Sequence, residues 1–233
     1  MKLLDLEEYW SVQSIEGKKW QEERYRHKGM VWGKEPGPTV DYAVNLFKKQ
    51  GVMSVLVVGC GYGRECMYFA DQGFHVTGID FSVEGIKMAN DWLSKEPKEQ
   101  LTFVQGDALN LQFADGSFDA VFSHKVLHQF NRDDRKKMIS EIHRVLKPKG
   151  IVVISDLSTS DPEYGDGVEI EPDMFERDKR AFRPLYFMSQ RTLEEFEAFQ
   201  IIESEEVDFW EIHPGEDYEH KHVFMRVSGS RVK

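Results

Sequence analysis

The chain has 233 residues, enough for one α/β-sized domain with a substantial core. Its formal net charge of −11, without any cluster of basic residues, argues against DNA, RNA or an anionic membrane as the main partner. No apolar run reaches spanning length, and the opening MKLLDLEEYW carries acids where a secretory leader has its apolar core, which predicts a cytoplasmic chain.

Residues 7–28 are charged and aromatic with loose helical spacing. Two prolines and two glycines make 30–38, MVWGKEPGP, a loop. Val40, Ala43, Val44 and Phe47 then share a helical face, with Gly51 as the stop. From there the chain alternates. A strand at 54–58 leads into a helix from about Arg64 to Gln72, then a strand at 75–79. Ser82 can cap a helix whose Ile86, Ala89, Asn90 and Leu93 lie on one side. Strands follow at 101–104 and 118–122. Asn131 opens a helix with a stripe of Met138, Ile139, Ile142, Val145 and Leu146, ended by Lys147-Pro148-Lys149-Gly150 before a fifth strand at 151–155. Strands joined by helix-length crossovers imply a doubly wound, mostly parallel α/β sheet.

After Ser155 the rhythm breaks. Residues 157–183 are rich in acids and show no clear period, so they read as an insertion within a single domain covering 1–233, with 1–50 as an N-terminal helical cap. Helix-like MSQRTLEEFEAF follows. Two β-rich segments, 200–210 and 221–227, should pair antiparallel and complete a sheet of seven strands. A connection of this length in a compact domain acts as a lid or binding loop. Tyr164, Phe175, Phe182, Ile170 and Met174 can bury apolar area against the open end of the sheet. Its acids favour a neutral or cationic ligand, while Arg177, Arg180 and Arg183 leave room for an anion.

The most informative stretch is VLVVGCGYGRE, a buried strand that breaks into Gly59, Gly61 and Gly63. Bare backbone at the carboxyl end of the first strand, opening a helix, lets a ligand lie against the main chain and offers free N–H groups. Asp80 ends the second strand, where a carboxylate can accept both hydroxyls of a ribose, and Asp107 follows the third, where it can accept from an adenine amino group. Together they describe a nucleoside pocket. A dinucleotide fingerprint needs Gly-x-Gly-x-x-Gly, but position 64 is Arg, which disfavours a nicotinamide-dependent oxidoreductase.

VLVVGCGYGRE, VTGIDFS, GDALNLQFADGSFDAVFSHKVLHQF and HRVLKPKGIVVISD, in that order, resemble the class I S-adenosylmethionine-dependent methyltransferases over roughly residues 30–156. The resemblance implies a Rossmann-like seven-stranded sheet with an antiparallel C-terminal strand. It implies that the turn of Gly59, Cys60, Gly61, Gly63 and Arg64 holds the methionine half of S-adenosylmethionine, Asp80 its ribose, and Asp107 with Ala108 its adenine, with Phe81 against the adenosine. More loosely, WGKEPGP and HKHVFMRV look like the small-molecule branch that includes tellurite-resistance and thiopurine-type enzymes, which would place Trp32 near the methionine end. The acceptor implied is a small molecule, and the chain a monomer or homodimer. A non-catalytic cofactor- or partner-binding domain of the same fold is the alternative.

Methyl transfer to a hydroxyl or ammonium also requires removal of a proton. SHKVLHQF, after the fourth strand, faces the transferred methyl in this fold, which makes Ser123, His124 and His128 the candidates for chemistry and His128 the first choice as base or substrate orienter. His213, His220 and His222 include a His-x-His that puts two imidazoles on one strand face, but loop and strand-edge histidines are usually solvated and no metal is expected. Cys60 and Cys66 fit no metal spacing and suit a reducing compartment. Asp119, at the start of the fourth strand, reads as structural.

Overall fold

The structure is a computed structural model that describes residues 6–177, 184–212 and 218–232. Helix α1 (Leu6–Lys28) precedes the loop at 29–39 and helix α2 (Val40–Lys49). Next come β1 (Ser54–Val58), α3 (Arg64–Asp71), β2 (His75–Asp80), α4 (Val83–Lys95), β3 (Leu101–Gln105), β4 (Phe118–His124), α5 (Arg132–Val145) and β5 (Leu146–Leu157). Short strands β6 (Val168–Glu171), β7 (Met174–Glu176) and β8 (Leu185–Tyr186) lead to the closing pair β9 (Phe199–Glu211) and β10 (His220–Arg231).

Seven strands form one sheet in the order β3-β2-β1-β4-β5-β10-β9. All neighbours from β3 to β5 are parallel, and β10 runs antiparallel to both β5 and β9. Strand order reverses at β1, which pairs with β2 on one side and β4 on the other, so the crevice beyond its carboxyl end is the place for a ligand. β1 is apolar on both faces, as a central parallel strand must be. Val55 and Val57 pack with Phe47, Phe69 and Ala89 of α2, α3 and α4, while Leu56 and Val58 pack with Met138 and Ile142 of α5.

The local signals act as expected. Val40, Ala43, Val44 and Phe47 are the buried residues of α2, and the Ser82 and Asn131 side chains accept from Gly85 N and Asp134 N at 2.9 Å each. Asp119 is structural: it accepts from Met53 N, Ser54 N, Ser54 Oγ and Lys147 Nζ, tying β1 to β4. Partial burial raises its pKa, but these four donors outweigh that and hold it down to about 2. Cys60 and Cys66 are both free and buried, and Gly78 leaves room for their two sulfurs.

Several details differ from the sequence expectation. On α4 the buried set is Gly85, Ile86, Ala89 and Trp92, and Asn90 is exposed, because the contact face lies one position away from the stripe read from the pattern. Residues 147–150 do not end the helix in a free turn. Phe118 pairs with Leu146 and Ala120 with Ile151, so the segment bulges from β5 with residues 147–149 exposed, Gly150 buried and Lys149 at φ 66°. Residues 190–196 form a 3₁₀ turn rather than an α-helix, because reciprocal bonds between Ser189 and Thr192 close it at i, i+3 spacing.

The described part of the insertion, residues 157–177, carries regular structure where its sequence shows no period. β6, β7 and β8 make a small antiparallel sheet, whose alternation in VEIE is too short to stand out from the acids around it. Met174 is fully buried, Ile170 is half-buried, and Phe175, Phe187 and Tyr164 form an edge-to-face cluster beside Leu157 and Phe224. Phe182, Arg180 and Arg183 lie outside the described residues.

Candidate active site

One cavity of about 310 Å³ opens at the carboxyl ends of β1, β2 and β4. Its wall runs from Gly59, Cys60, Gly61 and Arg64 past Asp80 and Phe81 to Asp107 and Ala108, and on the other side reaches Trp32, His124 and His128. Two predicted residues do not line it. Gly63 is turned into the core, where an added Cβ would lie 2.5 Å from the Phe103 ring, and the buried Ser123 hydroxyl donates to Val58 O at 3.2 Å.

The turn after β1 needs its glycines for backbone reasons as well. Gly59, Gly61 and Gly63 have φ of 71°, 53° and 92°, a region that side chains avoid. A Cβ on Gly59 would stand 2.2 Å from Val126 Cγ2, and one on Gly61 2.5 Å from the Tyr25 hydroxyl. Asp80 holds the turn from the next strand: Gly61 N donates to Oδ2 at 2.8 Å and Ser82 N to Oδ1 at 2.9 Å. Burial pushes its carboxyl up to about 6, against the pull of those N–H groups. Asp107 accepts from Leu109 N at 2.9 Å through Oδ1, and Lys18 Nζ lies 3.3 Å from its Oδ2.

Helix α1 forms the roof, through Gly17, Lys18, Gln21, Arg24 and Tyr25. The carboxylate of Glu22 anchors it by accepting from Val83 N and Glu84 N at the start of α4. Trp32 stacks on Tyr62 with centroids 6.2 Å apart, and the Arg24 guanidinium lies 4.6 Å from the Trp32 ring. Arg64 Nη1 donates to Trp32 O and Glu35 O, pinning the leading loop to the glycine turn.

The two histidines after β4 are held differently. His124 Nδ1 lies 2.8 Å from Ser155 Oγ, which in turn bonds Thr39 Oγ at 2.7 Å. Burial, with Arg64 and Lys125 nearby, pulls the His124 imidazole well below its ordinary pKa, so it is neutral at pH 7. His128 is bound twice by one carboxylate: its backbone N donates to Asp156 Oδ2 at 3.0 Å, and Nδ1 lies 2.8 Å from Oδ1. A carboxylate only accepts, so Nδ1 donates to Asp156, and in the neutral tautomer that this bond selects Nε2 is the acceptor nitrogen. Burial raises the Asp156 pKa, but His128 and the Leu157 N–H overcome it, and Asp156 stays ionised below the usual carboxylate range.

Asp156 ends the last motif of the sequence reading, where its role was not recognised. The visible signal was an acid at the carboxyl end of a buried strand. A second histidine–carboxylate set was also missed as such. His222 lines the cavity, with Nδ1 3.0 Å from the buried Asp161 Oδ2 and Nε2 3.3 Å from Glu211 Oε1. Burial would lower the His222 pKa, but bonding to these two acids pushes it up to about 9. His213 lies outside the described residues. No described helix is long and apolar enough to cross a membrane.

Residues 56–154 match the methyltransferase domain family. The chain is 39% identical over 103 residues to an uncharacterized methyltransferase of Synechocystis sp., covering 44% of this chain and 46% of that one. It is also 39% identical over 109 residues to the 2-methyl-6-phytyl-1,4-hydroquinone methyltransferase of the same organism, covering 46% and 33%. The chain thus spans less than half the length of these curated relatives. Among solved structures, the 1,6-didemethyltoxoflavin-N1-methyltransferase of Burkholderia thailandensis, with bound 1,6-didemethyltoxoflavin and S-adenosylhomocysteine, superposes with a TM-score of 0.71 at 20% identity, over 100% of this chain and 93% of that one.

Proposed function

We propose, from the match of residues 56–154 to the methyltransferase domain family, that this chain is a class I enzyme transferring a methyl group from S-adenosylmethionine to a small-molecule acceptor. The observation that carries the reading is the single cavity joining the glycine turn, Asp80 and Asp107 to the His128–Asp156 pair. The small-molecule acceptor is supported by the hydroquinone and toxoflavin enzymes among the relatives and neighbours.

The donor set fits the cofactor. Asp80 accepts from Gly61 N through Oδ2 and from Ser82 N through Oδ1, and a carboxylate with about four acceptor sites can also take a ribose hydroxyl without giving up the turn. Asp107 and Ala108 would hold the adenine, Phe81 would lie along the adenosine, and the turn with Arg64 and Trp32 would hold the methionine end. When bound, S-adenosylmethionine supplies an electrophilic methyl group on a sulfonium. His128 Nε2 takes the proton that a hydroxyl or ammonium acceptor must lose, and Asp156 stabilises the resulting imidazolium. Neutral His124 shapes the wall beside it.

The test is to incubate the purified chain with methyl-labelled S-adenosylmethionine and a metabolite extract. The expected result is one labelled small molecule and an equal amount of S-adenosylhomocysteine. Cofactor binding without transfer to any acceptor would instead indicate a binding module of the same fold.

The insertion serves this site. Leu157 and Glu163 of the insertion, with Pro184 and Leu185 directly after it, belong to the cavity wall, so closure here would exclude water from the sulfonium and shape the acceptor pocket. Tryptic cleavage within residues 161–183 is expected to slow several-fold when S-adenosylhomocysteine is added. Unchanged cleavage, with full activity of the nicked protein, would remove the lid role.

A further inference from the structure

The far end of the β9–β10 pair gathers metal-ligating side chains that methyl transfer does not use. His220 and His222 stand two positions apart on β10 and so share a sheet face. Glu211 is the cross-strand partner of His220 on β9. One potential ligand atom from each of the three lies within 4.8 Å of the others, and His222 Nε2 is 3.3 Å from Glu211 Oε1. Two ligands held tetrahedrally at zinc bond lengths stand about 3.3–3.5 Å apart. That edge of a coordination polyhedron is already built.

We propose that Glu211, His220 and His222 bind one divalent transition metal of the zinc class. Two imidazoles and one carboxylate select such ions over magnesium or calcium, which prefer all-oxygen sets. The supporting shell is in place. Asp161 Oδ2 accepts from His222 Nδ1 at 3.0 Å and from Val223 N at 2.9 Å, which orients the imidazole so that Nε2 is the ligating nitrogen. Metal entry replaces two ion pairs of Glu211 Oε1, that with Lys125 Nζ at 3.6 Å and that with His222 Nε2, and releases the His222 Nε2 proton to solvent. Three protein ligands leave a fourth position for water or another oxygen ligand. Because His222 lines the candidate active-site cavity, the ion would sit at the margin of the acceptor region. The proposal stands on these side chains alone and does not depend on the methyl-transfer reading.

The experiment uses the untagged full chain, stripped with a chelator and then titrated with Zn²⁺ by calorimetry and with Co²⁺ by visible absorption. One equivalent of each is expected, with the intense ligand-field bands of four- or five-coordinate cobalt. His220→Ala and Glu211→Gln should each weaken binding at least tenfold, and Asp161→Asn by about 10–100-fold through the supporting shell. Circular dichroism identifies any variant that fails to fold, and the half-buried His220 gives the mildest change. Absence of saturable uptake, uptake unchanged in His220→Ala with Glu211→Gln, or a weak octahedral cobalt spectrum would each leave only a histidine–carboxylate ion pair and overturn the site.

Discussion

His128→Ala is expected to lower kcat by about 10²–10⁴-fold while leaving S-adenosylmethionine affinity within a few-fold of the parent protein. The reason is position. His128 follows β4, on the opposite side of the cavity from Asp80 and Asp107, and it is oriented by Asp156, not by the glycine turn. Asp156→Asn tests the same unit through its partner. An amide offers one acceptor oxygen where the carboxylate serves three N–H groups, so the Nδ1 proton loses its fixed partner and Nε2 is no longer held as the acceptor. Turnover should drop with little change in KM. Isothermal calorimetry for the cofactor and steady-state kinetics for the acceptor check both variants. Loss of cofactor binding in a folded His128→Ala protein, or normal turnover, would exclude the proton-transfer role. An acceptor that reacts as a thiolate needs no base, and full activity would identify that case.

Asp80→Asn is the second large effect, a loss of about 1–3 kcal/mol in S-adenosylmethionine binding from leaving a buried polar partner unpaired. Asp80 also predicts a pH dependence of known sign. With its carboxyl pushed up to about 6, the group is ionised and able to accept a ribose hydroxyl above that pH, and protonated below it. Cofactor affinity should therefore fall as pH is lowered through about 6, and Asp80→Asn should flatten the profile. Calorimetry across pH 5 to 8 reads both. An unchanged affinity in the variant, or tight NAD binding by the parent protein, would sink the assignment of this pocket to an adenosyl sulfonium.

The parts of the fold that were legible in the sequence are those set by contacts between near neighbours. The stripe of Val40, Ala43, Val44 and Phe47, the caps at Ser82 and Asn131, and the double-faced apolar run of β1 each depend on a few adjacent positions and a fixed period. The alternate glycines announced a turn with positive φ, and the acids at two successive strand ends do line one cavity. Most residues of the cavity wall could be named early because they lie at strand ends, whose location follows from strand order alone.

Only the tertiary structure decided which side chains meet across long separations. Asp156 lies 28 positions from His128, and Asp161 lies 61 from His222, so neither pair leaves a local pattern. Helix α1 shows no apolar stripe to point to its docking site, and its seat on the cavity comes from individual contacts such as Glu22 with the start of α4 and Tyr25 with Gly61. The insertion reads as aperiodic because its strands are two to four residues long and are stabilised by Phe175, Phe187 and Leu157 rather than by their own propensity. Periodicity and capping act through the neighbouring turn of chain and so are written in the sequence. A buried carboxylate choosing its histidine is a matter of close packing and desolvation at one point in space, which exists only once the strands are side by side.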